Sequence, residues 1–159
     1  MDEIIRILRA ELALCMKLEA AAQAQREALK ANLDGRRVTE TTQTVDGLLR
    51  QISVFEKQKE ELLQKAGCES MLELLKHQPY SKEKMEAKEY MNRMTELFQR
   101  IRNIGSANKL LLKNDMEYLT FSLNVMTQSQ AGPGYDDTES PDKAAIQGKK
   151  LFDRSVSKG

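Results

Sequence analysis

Proline ends helices more reliably than any other residue, because its ring removes an N–H donor and collides with the preceding turn. This chain of 159 residues contains three prolines, Pro79, Pro133 and Pro141. Two long stretches, before Pro79 and from there to Pro133, therefore lack that breaker. In the first, Met1, Ile5, Leu8, Leu12, Cys15, Glu19, Ala22, Arg26, Leu29 and Leu33 recur in steps of four and three, a heptad row with two charged interruptions. A second row, Ile4, Ile7, Leu14, Leu18, Ala21 and Ala28, runs beside it. A helix with two adjacent apolar rows needs two neighbours to cover them.

The pattern resets around Asp34, Gly35, Arg36 and Arg37. Val45, Leu48, Ile52, Phe55 and Leu62 then fall on another seam that ends near Gly67, a residue suited to the left-handed position that closes a helix. So short a connection favours an antiparallel hairpin, the alternative being one helix running through Gly35. Met71, Leu72, Leu74 and Leu75 suggest a short helix, His77-Gln78-Pro79-Tyr80 a turn, and Ser81 a cap for the next helix. Beyond Ser81, Ala87, Met91, Met94, Phe98, Ile101, Gly105, Asn108, Leu112, Leu119 and Met126 make one row. Tyr90, Leu97, Ile104, Leu111, Tyr118 and Val125 make its companion. Read as one helix, residues 81–127 would measure roughly 70 Å.

These patterns predict an all-α fold, an elongated antiparallel helical bundle of three long helices and a short one with coiled-coil-like packing. The bundle would occupy residues 1–128, with helices over about 2–33, 37–66, 69–76 and 81–127. From Gln128 the composition turns to glycine, serine and proline, and then to an acidic patch of Asp136, Asp137, Glu139 and Asp142 around Tyr135. Residues 129–159 accordingly read as a flexible C-terminal tail. Ser140-Pro141 could open a short helix over residues 141–157, whose apolar face would be Ile146, Leu151, Phe152 and Val156.

Composition narrows the function. Lys and Arg number 25 against 24 Asp and Glu, a net charge of +1, whereas a nucleic-acid binder needs a basic excess to displace phosphate counterions. No apolar run approaches the length that spans a bilayer, and the acidic opening Met1-Asp2-Glu3 does not resemble a signal peptide. The chain reads as cytoplasmic, with no nucleic-acid partner and no direct membrane insertion. Cys15 and Cys68 lie far apart, and with His77 as the single histidine they cannot make a four-ligand zinc site from Cys and His alone. No metal site and no cofactor are expected.

Catalysis has no foothold either. His77 sits beside a turn proline, where surface or helix-end placement is expected. Carboxylates mostly stand three or four residues from a Lys or Arg, as Glu56 does from Lys59, the arrangement of a solvated helix face. No glycine-rich phosphate loop is present. The chain reads as a non-enzyme. Met85, Met91, Met94, Met116 and Met126 crowd the third long helix, where ordinary packing is favoured over an adaptable binding surface. On the same row, Asn108 has the character of a register-fixing polar residue, and Gly105 that of a close-approach point.

The order of these parts resembles the FlgN family of flagellar export chaperones. The similarity is carried by Asp2-Glu3-Ile4-Ile5-Arg6-Ile7-Leu8 at the start and Phe55-Glu56-Lys57-Gln58-Lys59-Glu60-Glu61-Leu62-Leu63 in the second helix. It continues in Asn108-Lys109-Leu110-Leu111-Leu112-Lys113-Asn114-Asp115-Met116-Glu117-Tyr118-Leu119, then in Tyr135-Asp136 and Leu151-Phe152-Asp153-Arg154. The resemblance implies an ATP-independent cytoplasmic chaperone that binds helical C-terminal segments of hook-filament junction proteins. It would prevent their premature assembly and deliver them to the flagellar type III export gate. Ile146, Leu151, Phe152, Met116 and Tyr118 are then the candidate substrate-binding residues, and Tyr135 the candidate contact with the export gate. The competing expectation is a structural coiled-coil adaptor, a homo-oligomer that dimerises through the same apolar surface.

Overall fold

The computed structural model describes residues 1–31, 35–112 and 117–132. Among them are α1 (Asp2–Lys30), α2 (Gly35–Ala66), α3 (Met71–Lys76), α4 (Lys82–Leu112) and α5 (Glu117–Ala131), and the fold is all-α. The first and fourth helices, 29 and 31 residues long, each extend about 45 Å. Both apolar rows of α1 are used, since α1 packs against α2 on one side and α4 on the other.

The chain breaks between α1 and α2 and returns as a hairpin. Pairing of Gln25 with Thr42 near one end and of Glu11 with Lys59 near the other shows that the two helices are antiparallel. Gly67, at φ +67°, closes α2. Its N–H reaches Gln64 O and the Cys68 N–H reaches Leu63 O, the paired bonds that satisfy the last carbonyls of a helix. Ser70 Oγ accepts the Glu73 N–H to cap α3, and Ser81 Oγ accepts that of Lys84 to cap α4. Helix α4 then runs parallel to α1. Arg9 meets Glu86 and Tyr90, Glu19 meets Arg100, and Ala22 meets Asn108 in ascending order.

Where the sequence pattern reads as a single helix over residues 81–127, the structure has two, and the second folds back. Leu119 lies over Gly105, and Gln130 reaches Met91, so α5 is antiparallel to α4. The reason is visible in the length of the neighbouring helix. Continued in heptad steps past Leu112, the row of α4 meets Asp115, Leu119, Ser122 and Met126. But α1 ends at Lys30, eight residues beyond the contact of Ala22 with Asn108, so a straight helix would carry the buried row of α5, Leu119, Leu123, Met126 and Gln130, past the end of its neighbour. One straight helix would leave that row in water; folding back covers it with α2, α3 and α4.

The core runs the length of this assembly. In α1 its most buried line is Ile4, Leu8, Glu11, Cys15, Leu18, Ala22 and Gln25; in α2 it is Val45, Leu49, Ile52, Glu56, Lys59 and Leu63. Both lines keep heptad spacing, and both carry polar residues at their centres. The pairing of Glu56 with Lys59 is therefore not that of a solvated helix face. Lys59 is completely buried and Glu56 nearly so, because the seam of α2 passes through them while the apolar Phe55 and Leu62 flank it, half-buried.

Candidate functional site

Helix α5 carries the candidate site. Its position is set first by Gly105, where a Cβ would come within 2.9 Å of Leu119 Cδ2. The missing side chain lets the start of α5 lie close on α4. Its far end is held by polar contacts: Gln130 Nε2 donates to Met91 O at 2.9 Å and also to Thr95 Oγ1, while the Ser129 hydroxyl donates to Glu56 Oε1 at 2.6 Å. Gly132, at φ +98°, ends the helix with its N–H on Gln128 O, at a point where a Cβ would stand 3.8 Å from Ser70 Cβ. With its inner row turned to the bundle, α5 presents Tyr118 (43% exposed) and Phe121 (57% exposed) outward. Large apolar side chains so exposed are candidate contacts for a partner.

Behind α5 stands a buried ion cluster. Lys59 Nζ donates to Glu11 Oε2 at 3.1 Å and pairs with Glu56, which in turn accepts from Ser129 of α5. Two carboxylates thus face one ammonium in a site without bulk water. Burial raises the Glu11 carboxyl well above the ordinary carboxylate range; Lys59 opposes that rise and Glu56 reinforces it. For Lys59, burial acts to lower the pKa, but attraction to Glu11 and Glu56 overrides it and holds the amine above its usual value. Lys59 is accordingly charged, and Glu11 is the carboxyl on which burial favours a proton. Glu11 Oε1 has no donor, and a proton placed on it can be given to Glu56, within hydrogen-bonding reach. The neighbouring thiol of Cys15, also buried, is pushed well above its ordinary range by desolvation.

A second polar layer lies toward the other end. Asn108 Nδ2 donates to Ala22 O at 3.2 Å and to Gln25 Oε1 at 2.9 Å, and Gln25 Nε2 donates to Thr42 Oγ1 at 2.8 Å. This chain of amides joins α4, α1 and α2 at one level, and any slip of register would bury its donors unpaired.

The residues singled out from sequence divide accordingly. Tyr118 is exposed at the start of α5, and Met91, Met94 and Met126 are buried in the core, while Met85 faces outward, 48% exposed. His77 is exposed at the end of α3. Met116, Tyr135, Ile146, Leu151 and Phe152 lie outside the described residues. Phe121 was not among the sequence candidates, because it sits on neither of the rows traced through a straight helix. Glu11, Gln25, Lys59 and Gln130 were missed as well. Their signal is positional, since each falls on a heptad row whose other members are mostly apolar.

The FlgN family model, described as FlgN protein, matches residues 1–142. The chain belongs to the FlgN family. Membership covers all five helices and extends past α5, so the exposed face of α5 lies inside the family's shared region. It places the chain among flagellar export chaperones, a family of chaperones rather than of enzymes. No curated protein and no solved structure matches the chain. Among the described residues no helix is long and apolar enough to cross a membrane.

Proposed function

We propose that this FlgN-family chain binds the helical C-terminal segments of hook-filament junction proteins in the cytoplasm, keeps them from assembling early, and hands them to the export gate. The observation that carries the reading is the pair Tyr118 and Phe121, exposed on α5 within the region that matches the family. Substrates that assemble by pairing apolar helices need such faces masked, and a helix bearing exposed aromatic anchors can supply a substitute face. Tyr118 and Phe121 would form the described part of the substrate surface, with Met116, Ile146, Leu151 and Phe152 extending it. Tyr135 would make the contact with the cytoplasmic domain of the export gate. The reading needs no catalytic group and no cofactor.

Calorimetry with the C-terminal helical segment of a junction protein tests this directly. A one-to-one complex is expected, weakened roughly tenfold or more by Phe121→Ser combined with Tyr118→Ser, as for loss of interface anchors. Absence of binding at micromolar concentrations defeats the proposal. Alanine at Ile146, Leu151 and Phe152 that leaves affinity unchanged would remove the C-terminal segment from the surface. Tyr135→Ala should spare substrate binding while abolishing association with the export-gate domain. A tight homodimer in sedimentation equilibrium that excludes the peptide would favour the coiled-coil adaptor instead.

A further inference from the structure

Cys68, Glu73 and His77 converge where α2 ends and α3 begins. One ligand atom from each, a thiol sulfur, a carboxylate oxygen and an imidazole nitrogen, lies within 4.8 Å of the others. Each arrives there for a local reason. The left-handed Gly67 turns the chain sharply out of α2, which sets Cys68 immediately beyond the last turn. Glu73 folds back along the first turn of α3, its Oε2 accepting the Glu69 N–H at 2.8 Å. His77 follows Glu73 by four residues on the same face of α3 and occupies its C-cap.

From this convergence we propose that Cys68, Glu73 and His77 bind a zinc ion, with water completing the coordination. The donor set is borderline-soft, a thiolate and an imidazole joined by one carboxylate, which suits zinc and disfavours magnesium or calcium. Around tetrahedral zinc, neighbouring donor atoms stand about 3.5 Å apart, so the three must draw together by roughly 1 Å. Cys68 and Glu73 are half-buried and His77 is exposed, which leaves the imidazole free to make most of that movement. The Glu69 N–H bond orients the carboxylate from behind, as outer partners of metal ligands commonly do. Cys and His alone do not complete this site. It takes a carboxylate that the capping of α3 delivers.

The consequence is structural. Helix α3 has six residues, too few to persist by its own hydrogen bonds, and it supports the C-terminal end of α5 through the approach of Ser70 to Gly132. A bound ion ties α3 at both ends to the last turn of α2.

The test uses the full chain, reduced and stripped of metal, titrated with zinc or with cobalt as a spectroscopic probe. One ion per chain is expected, with a thiolate-to-cobalt charge-transfer band, visible bands of a tetrahedral centre, and a rise in Tm on adding zinc. Cys68→Ser and His77→Ala should each lower zinc affinity roughly 100-fold, and Glu73→Gln, which keeps the capping geometry, roughly 10-fold. Cys15→Ala should change neither affinity nor the charge-transfer band. The proposal is overturned if zinc does not bind, if binding survives Cys68→Ser and His77→Ala undiminished, or if magnesium displaces the ion. Circular dichroism on each variant separates loss of ligands from loss of fold, and an unfolded variant is replaced by Cys68→Ala or His77→Gln.

Discussion

Helix α1 and helix α5 occupy the same bundle on different terms. The first is buried along two rows, and its centre line is enclosed from Ile4 to Gln25. The second buries one row of four residues, one of them Gln130, and is anchored at its far end by hydrogen bonds from Ser129 and Gln130. Apolar burial is strong but undirected, whereas these hydrogen bonds are directional and individually modest. The difference teaches that α1, α2 and α4 form a trunk that could hold together by its core, while α5 is seated by fit: a glycine beneath it, two polar anchors and a short inner row. A helix so placed can present aromatic side chains outward without taking part in the main core.

Substitutions in the trunk should cost most. Lys59→Ala leaves Glu11 and Glu56 facing each other in the core, and a loss of about 3 to 5 kcal/mol is expected in urea unfolding. If the loss stays below about 1 kcal/mol, the cluster is wetter than its burial implies and the contrast between trunk and α5 weakens.

Gly105→Leu tests the seat of α5. The added side chain must displace Leu119, at a cost of about 1 to 3 kcal/mol for overpacking. Amide hydrogen exchange should accelerate in α5 and stay slow in α1. Equal acceleration in both would mean that the two regions unfold as one unit. Gln130→Ala should have a smaller effect of the same kind, about 1 kcal/mol, concentrated at residues 126–131, because it removes the bond to Met91 O without disturbing the apolar row.

The gentlest probe is pH. Burial holds the folded-state pKa of Glu11 well above the ordinary carboxylate range, so over the interval between them the native chain holds a proton that the unfolded chain has released. Its contribution is complete at or below the ordinary carboxylate range and is lost as pH rises through the raised value. Stability should therefore fall across that interval, and Glu11→Gln, which imitates the protonated acid, should flatten the profile and raise stability on its alkaline side. A profile unchanged by Glu11→Gln would overturn the placement of this proton on Glu11.

Much of this architecture is legible in the order of residues. The rows of α1, the reset before Gly35, the closure of α2 at Gly67 and the Ser81 cap follow from spacing and from residues whose backbone preferences are narrow. Asn108 and Gly105 also stand out, being polar and small on an apolar row, and the structure gives both the packing roles that such residues suggest. Hidden from the sequence is the return of α5. Lys113-Asn114-Asp115 carries turn-type residues, yet without proline or glycine it does not interrupt a helical pattern, and two helices in nearly the same phase read as one.

The sequence by itself determined that the chain is helical, where the prolines and glycines interrupt it, and which faces are apolar, because these depend on local stereochemistry and periodicity. Its likeness to the FlgN family was readable there too. Only the tertiary structure decided that Glu11, Glu56 and Lys59 share one dry site, that α5 folds back and turns Phe121 outward, and that Cys68, Glu73 and His77 meet. Each of those depends on distances between residues far apart in the chain or on the direction taken by a turn. Helical periodicity marks a residue as facing inward, but it does not say which neighbour that residue will meet.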